Sequence, residues 1–130
     1  MAFAQRILVV ENEYVLAHNL KRFLDRRSAD VRIARDGEDA IALMESFVPD
    51  VVVLDHHLPG INGLQTYSEI ARRRERSPRC VMITGYPLER VAGPARALGI
   101  HHLLCKPFGL WELRTLIELC AAAPSSRAAH

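Results

Sequence analysis

Two hydrophobic rhythms alternate along the chain. Short runs rich in Val, Ile and Leu predict five buried strands at Ile7–Val10, Val31–Ala34, Val51–Leu54, Cys80–Ile83 and His101–Cys105. Between them, apolar residues recur at helical spacing. Leu16, Leu20, Phe23 and Leu24 share one face of a predicted helix over Tyr14–Arg27, and Glu38–Phe47 presents Ile41 and Met44 with either Ala40 or Phe47. A third face joins Leu64, Tyr67, Ile70 and Ala71. Leu88–Leu98 reads as a short, alanine-rich helix, and Leu110–Ala122 as a fifth carrying Leu113, Leu116, Ile117 and Cys120.

Strand and helix alternating five times predict βαβ units and a parallel sheet in the α/β class. The first, third and fourth runs are continuously apolar, as strands covered on both faces must be. Arg32 interrupts the second and predicts an edge strand. Gly and Pro punctuate the joins at Pro59-Gly60, Pro78, Gly85, Pro87, Gly99 and Pro107. One domain is expected over 1–122, with the alanine- and serine-rich stretch 123–130 as a disordered tail.

Composition narrows the reading. At 130 residues there is room for one core. Seventeen Lys and Arg against 15 Asp and Glu give a net charge of only +2, so a strongly nucleic-acid-binding domain is not expected. No apolar run reaches the roughly 20 residues of a membrane span, and Met1–Arg6 shows no secretory signal. Three cysteines (Cys80, Cys105, Cys120) without a Cys-x-x-Cys pair are read as reduced thiols in a cytoplasmic protein. Of the cations 15 are arginines; only Lys21 and Lys106 are lysines, which singles them out.

The candidate chemistry lies where the strands end. Glu11, Asn12 and Glu13 follow the first, Asp55 the third, Thr84 the fourth and Lys106 the fifth. In an open parallel sheet these carboxyl ends converge on one crevice. Carboxylates with an amide make a hard oxygen site suited to Mg²⁺. A hydroxyl and an ammonium suit phosphoryl oxygens, and a carboxylate between them is a candidate nucleophile that would form an acyl phosphate.

Four segments carry a family resemblance: Ile-Leu-Val-Val-Glu-Asn-Glu (7–13), Val-Val-Val-Leu-Asp-His-His-Leu-Pro-Gly (51–60), Met-Ile-Thr-Gly (82–85) and Cys-Lys-Pro-Phe (105–108). In this order and spacing, the chain resembles the receiver domain of two-component response regulators over 6–120. The resemblance implies a flavodoxin-like five-stranded parallel sheet of order 2-1-3-4-5 with helices on both faces. It implies Asp55 as phosphoacceptor from a histidine kinase or histidine phosphotransfer protein, with Thr84 and Lys106 holding phosphoryl oxygens. Mg²⁺ or Mn²⁺ would be bound by Glu11, Asn12, Asp55 and the backbone carbonyl of His57, and the Lys106–Pro107 peptide would be cis. His57 and Tyr86 would flank the phosphoryl group and tune its hydrolysis.

Two positions depart from the family pattern. Asn12 stands where most receivers have a metal-ligating Asp. Unit charges about 4 Å apart interact by roughly 4 kcal/mol at an effective dielectric of 20, so weakened cation binding is expected unless Glu13 compensates. Leu103 stands where many receivers carry a Tyr or Phe that rotates on activation. With Thr84-Gly85-Tyr86, this partly resembles variant receivers whose fourth strand reads Phe-Ala-Thr-Gly-hydrophobic-Tyr, although Met82 and Ile83 replace Phe and Ala. Switching is then expected in the 84–90 loop.

Other signals read more plainly. His56 and His57, adjacent in extended chain, are expected to point apart rather than chelate together. The arginines at 72–74, 76 and 79 fit a solvated helix end. The leading expectation is a stand-alone phosphorylatable switch acting on a partner protein, not itself an enzyme, as a monomer or a phosphorylation-linked dimer. The alternative is a phosphorylation-independent interaction module, a pseudo-receiver. An enzyme fits less well: aspartate-nucleophile phosphatases want an Asp where His57 stands, and a flavin or dinucleotide would meet the acidic Glu11-Asn12-Glu13 instead of a phosphate-cradling loop.

Overall fold

The computed structural model describes residues 5–26, 29–73, 78–85 and 87–122. Five strands and five helices alternate: β1 Arg6–Val10, α1 Tyr14–Asp25, β2 Asp30–Ala34, α2 Gly37–Leu43, β3 Val51–Asp55, α3 Gly63–Arg72, β4 Arg79–Thr84, α4 Leu88–Ala97, β5 His102–Cys105 and α5 Leu110–Ala122. All neighbouring strands run parallel in the order β2-β1-β3-β4-β5. The expected flavodoxin-like sheet is therefore present. Strands β1, β3 and β4 are central, and β2, with Arg32 exposed, lies at one edge.

Strand periodicity explains why both faces need helices. Leu8, Val10, Val52, Leu54, Cys80 and Met82 point to one side, where Ala40 and Met44, Tyr67 and Ile70 of α3, and Val91 and Ala95 of α4 cover them. Ile7, Val9, Val51, Val53, Val81 and Ile83 point to the other, under Leu20 and Leu24 of α1 and Leu113, Ile117 and Cys120 of α5. Only a strand apolar at every position can serve both layers.

The largest departure from the expected elements is α2, which stops at Leu43 although the periodicity runs to Phe47. Pro49 lies just beyond, and the residue before a proline is driven out of the helical region. Turns over residues 44–46 still deliver Phe47 to the core, and Ala40 and Met44 are buried with it. The guanidinium carbons of Arg6 and Arg32 lie 4.6 and 4.9 Å from its ring centroid. Elsewhere boundaries move by one or two residues, as helix and strand ends do.

The turns set where the strands restart. Helix α4 closes in a Schellman arrangement: Ile100 N–H donates to Ala95 O and Gly99 N–H to Arg96 O, both at 2.9 Å. Gly99 takes φ +89°, a conformation that a side chain would strain. Tyr86, Arg27, Arg74, Arg76 and the 123–130 stretch fall outside the described residues.

Candidate functional site

Of the predicted site residues inside the described segments, Glu11, Asn12, Asp55, His57, Thr84 and Lys106 lie at the carboxyl edge of the sheet, whereas Leu103 lies within β5. Glu11 follows β1, with its N–H donating to Ala34 O at 3.0 Å across to β2. Asp55 ends β3 and Thr84 ends β4; all three are buried. Backbone bonds hold the edge together: His56 N–H donates to Ile83 O at 2.8 Å, and Lys106 N–H to Thr84 O at 2.8 Å. The Lys106–Pro107 peptide is cis.

Asp55 is only 3% exposed, and both its oxygens are engaged. Oδ1 accepts the N–H of His57 at 3.1 Å, and Oδ2 accepts from Lys106 Nζ at 3.1 Å. The same ammonium lies 3.4 Å from Glu11 Oε1 and 3.4 Å from Glu13 Oε2. One cation therefore serves three carboxylates brought from two strand ends and a helix start.

The electrostatics follow from burial. Glu11 is 2% exposed, and burial raises its pKa above the ordinary glutamate value. The N–H of Glu13, donating to Glu11 Oε2 at 3.0 Å, pulls the other way, while the charge of Asp55 raises it further. Burial works against the Lys106 ammonium too, but the charges of Asp55 and Glu11 outweigh it and its pKa ends raised. Lys106 is held protonated.

Glu11 Oε1 is buried without a well-formed hydrogen bond among the described residues, with the Lys106 ammonium 3.4 Å away. A carboxylate oxygen left in this state suits a hard cation. Among the described residues no three His, Cys, Asp or Glu side chains close into a metal-ligating group. A divalent ion would draw on Glu11, Asp55, the exposed Asn12 amide and the His57 carbonyl. That set is all oxygen, and it fits Mg²⁺ or Mn²⁺ rather than a softer metal.

The remaining predicted residues divide. His57 has an exposed side chain beside Asp55, whereas Leu103 is half-buried and packs against the α2–α3–α4 side of the core. The rings of His56 and His57 do not point apart as expected: they meet edge to face, with centroids 5.4 Å apart. The chain leaves β3 at Asp55 and bends at His56, so strand alternation no longer applies. Burial, then the neighbouring His57, lowers the pKa of His56.

Glu13 stands both at a helix start and in the site. It occupies the N-cap of α1 without a side-chain capping bond, and its carboxylate reaches Lys106 instead. The available signal was residue type, since N-caps favour Ser, Thr, Asp and Asn over Glu.

A family model of the response regulator receiver domain matches residues 7–118. The chain belongs to that family. Relatives include the regulator of RpoS of Escherichia coli K12, 32% identical over 117 residues that span 89% of this chain and 34% of that protein. The transcriptional regulatory protein PdtaR of Mycobacterium tuberculosis is 31% identical over 122 residues, 93% of this chain and 58% of that one. The receiver thus spans between a third and three fifths of the length of these two relatives.

Solved receivers match through nearly their whole length. The non-phosphorylated HemR receiver domain of Leptospira biflexa is 29% identical with a TM-score of 0.80, covering 92% of this chain and 96% of that one. TrrA of Thermotoga maritima, solved in complex with Mg²⁺ and BeF, is 28% identical with a TM-score of 0.77, covering 89% and 98%. Phosphorylation and Mg²⁺ are general features of receivers. No helix among the described residues is long and apolar enough to cross a membrane.

Proposed function

We propose that this receiver is a phosphorylation-operated switch in which Asp55 takes the phosphoryl group of a phosphohistidine on a histidine kinase or phosphotransfer protein. The carrying observation is the Lys106 ammonium 3.1 Å from the buried Asp55 carboxylate at the crevice end of the sheet. An Asp55 oxygen attacks phosphorus, the phosphorus–nitrogen bond breaks, and the electron pair leaves on the imidazole. Lys106 and the Thr84 hydroxyl take up the phosphoryl oxygens, and the His57 N–H holds the other Asp55 oxygen in line. Glu11, Asn12, Asp55 and the His57 carbonyl would hold Mg²⁺ or Mn²⁺, which would offset charge on Asp55 and the incoming group.

The chain is a phosphoacceptor that assists its own phosphorylation and dephosphorylation, and it signals to an effector protein rather than to nucleic acid. Three cysteines outside any disulfide among the described residues suit the cytoplasm as its site of action. Leu103 has no ring to rotate, so the response runs through the 84–90 loop and Tyr86. Amide shifts confined away from residues 84–98 on phosphorylation would contradict that route.

Asn12 and Leu103 favour a second reading, a module that keeps the fold and works unphosphorylated. Incubation with acetyl phosphate and Mg²⁺, read by intact mass, separates the two. A gain of one phosphoryl group that disappears in Asp55→Asn supports the switch; no gain supports the module.

A further inference from the structure

We propose that α4 is two units joined by a hinge at Gly93-Pro94, so that residues 88–92 open away from the sheet while residues 95–100 stay seated. The hinge is a property of the unphosphorylated chain and stands apart from the receiver reading above.

The sequence of α4 places its two poorest helix formers side by side. Pro94 lies inside the helix Leu88–Ala97, beyond the first turn where proline is tolerated. It has no N–H to donate to the Arg90 carbonyl one turn back, and its ring crowds that oxygen. Gly93, immediately before it, has no packing reason to be glycine: a Cβ there would meet nothing within 4 Å, and its φ is not positive. Both residues are exposed. Helices bend where a ladder bond is missing, and glycine beside that gap lowers the resistance of the backbone further.

The halves on either side are held very differently. In the first, Pro87 occupies the N-cap without a side-chain capping bond, and Leu88, Glu89 and Arg90 are all exposed. Val91, 2% exposed, is the one buried residue of 88–92. The second half carries Ala95 and Ile100, both fully buried, with Leu98 packed on the same core. Its end is closed by three backbone bonds, from Leu98 and Ile100 to Ala95 O and from Gly99 to Arg96 O, at 2.9–3.0 Å. One valine therefore seats the first half, whereas a closed turn leading into β5 locks the second. A displacement that begins after Thr84 ends at Gly93 and leaves β5, with Lys106 at its end, in place.

The test is amide hydrogen exchange of the full chain, read residue by residue by NMR without phosphodonor. Wild type, Gly93→Ala and Pro94→Ala are compared, with melting curves confirming that each folds. In wild type, Ala92 is expected to be protected about tenfold less than Ile100 or the β4 amides. Gly93→Ala should raise protection of Ala92 by about fivefold, the difference between glycine and alanine in a helix interior. Pro94→Ala, which returns a donor to the Arg90 carbonyl, should raise it by about tenfold or more. Ile100 should change by less than about twofold in either variant. Equal protection of Ala92 and Ile100 in wild type would overturn the proposal. So would variants that leave Ala92 unchanged, or that raise Ala92 and Ile100 by the same factor, since α4 would then open as one unit.

Discussion

Lys106 Nζ lies 3.1 Å from Asp55 Oδ2, with β4 standing between the strands that carry them. The pair is half of a larger imbalance, because Glu11 at 3.4 Å relies on the same ammonium. Lys106→Met should leave two buried carboxylates facing each other without a cation, at a cost of about 1–3 kcal/mol near neutral pH. The pH dependence has a definite sign. The pKa of Lys106 is raised on folding, so its contribution is complete below the ordinary lysine value and is lost as pH rises through the raised one. Urea denaturation at pH 7 and under strongly alkaline conditions checks this. A gap between wild type and variant that persists undiminished above the lysine range would contradict it.

The three thiols should differ sharply in reactivity. Cys80 and Cys120 are both buried, on opposite faces of the sheet, with the Cys120 thiol 3.6 Å from the Cys80 carbonyl oxygen. Burial pushes Cys80 well above the ordinary thiol value and Cys120 up to about 11. Cys105 is half-buried next to Lys106. A disulfide-exchange reagent at pH 8 is expected to titrate one thiol quickly in the native protein and the other two only on unfolding. Cys105→Ser should remove the fast phase; retention of that phase would assign it to the wrong residue.

How much of this was legible beforehand differs by residue. The central strands were readable because Ile7–Val10, Val51–Leu54 and Val81–Ile83 must be apolar at every position to serve two helical layers. Asp55, Thr84 and Lys106 were readable because a parallel sheet puts the ends of its strands together whatever their distance in sequence. The end of α2 was not, since its apolar period continues through Met44 and Phe47 and only Pro49 argues for stopping. Nor was the Glu13–Lys106 contact, which depends on where a flexible side chain at a helix start turns once the fifth strand has arrived. The edge-to-face approach of His56 and His57 was hidden for a similar reason: it depends on the bend after β3.

Gly63, the first residue of α3, is expected to tolerate no side chain. A Cβ there would stand 2.7 Å from the carbonyl oxygen of Asp55 and 2.7 Å from Cα of His56, both backbone atoms beside the phosphoacceptor. Neither can give way without moving the end of β3. Gly63→Ala should therefore destabilise by ~1–3 kcal/mol and slow labelling of Asp55 by acetyl phosphate. Gly109→Ala is the control, because its Cβ meets nothing within 4 Å. Equal melting temperatures for the two variants would show that the contact at Asp55 is easily relieved.

Glu11 is the residue whose neutralisation should help the fold and harm the site. Its charged form is penalised by burial and by Asp55, and neither Lys106 nor the N–H of Glu13 fully compensates. A carboxyl with a raised native pKa binds its proton more tightly folded than unfolded. Stability therefore falls as pH rises from the ordinary glutamate value through the raised one, then levels off. Glu11→Gln keeps the shape and removes the charge. Without divalent cation it should melt higher than wild type at pH 7, on the order of a few degrees, with the difference vanishing below the ordinary glutamate pKa. Millimolar Mg²⁺ should raise the melting temperature of wild type more than that of the variant, since a cation bound only by the native state stabilises it. Melting curves at pH 4 and pH 7, with and without Mg²⁺, separate the two effects. If the variant melts lower than wild type at pH 7 without cation, the ion pair with Lys106 outweighs the cost of burial.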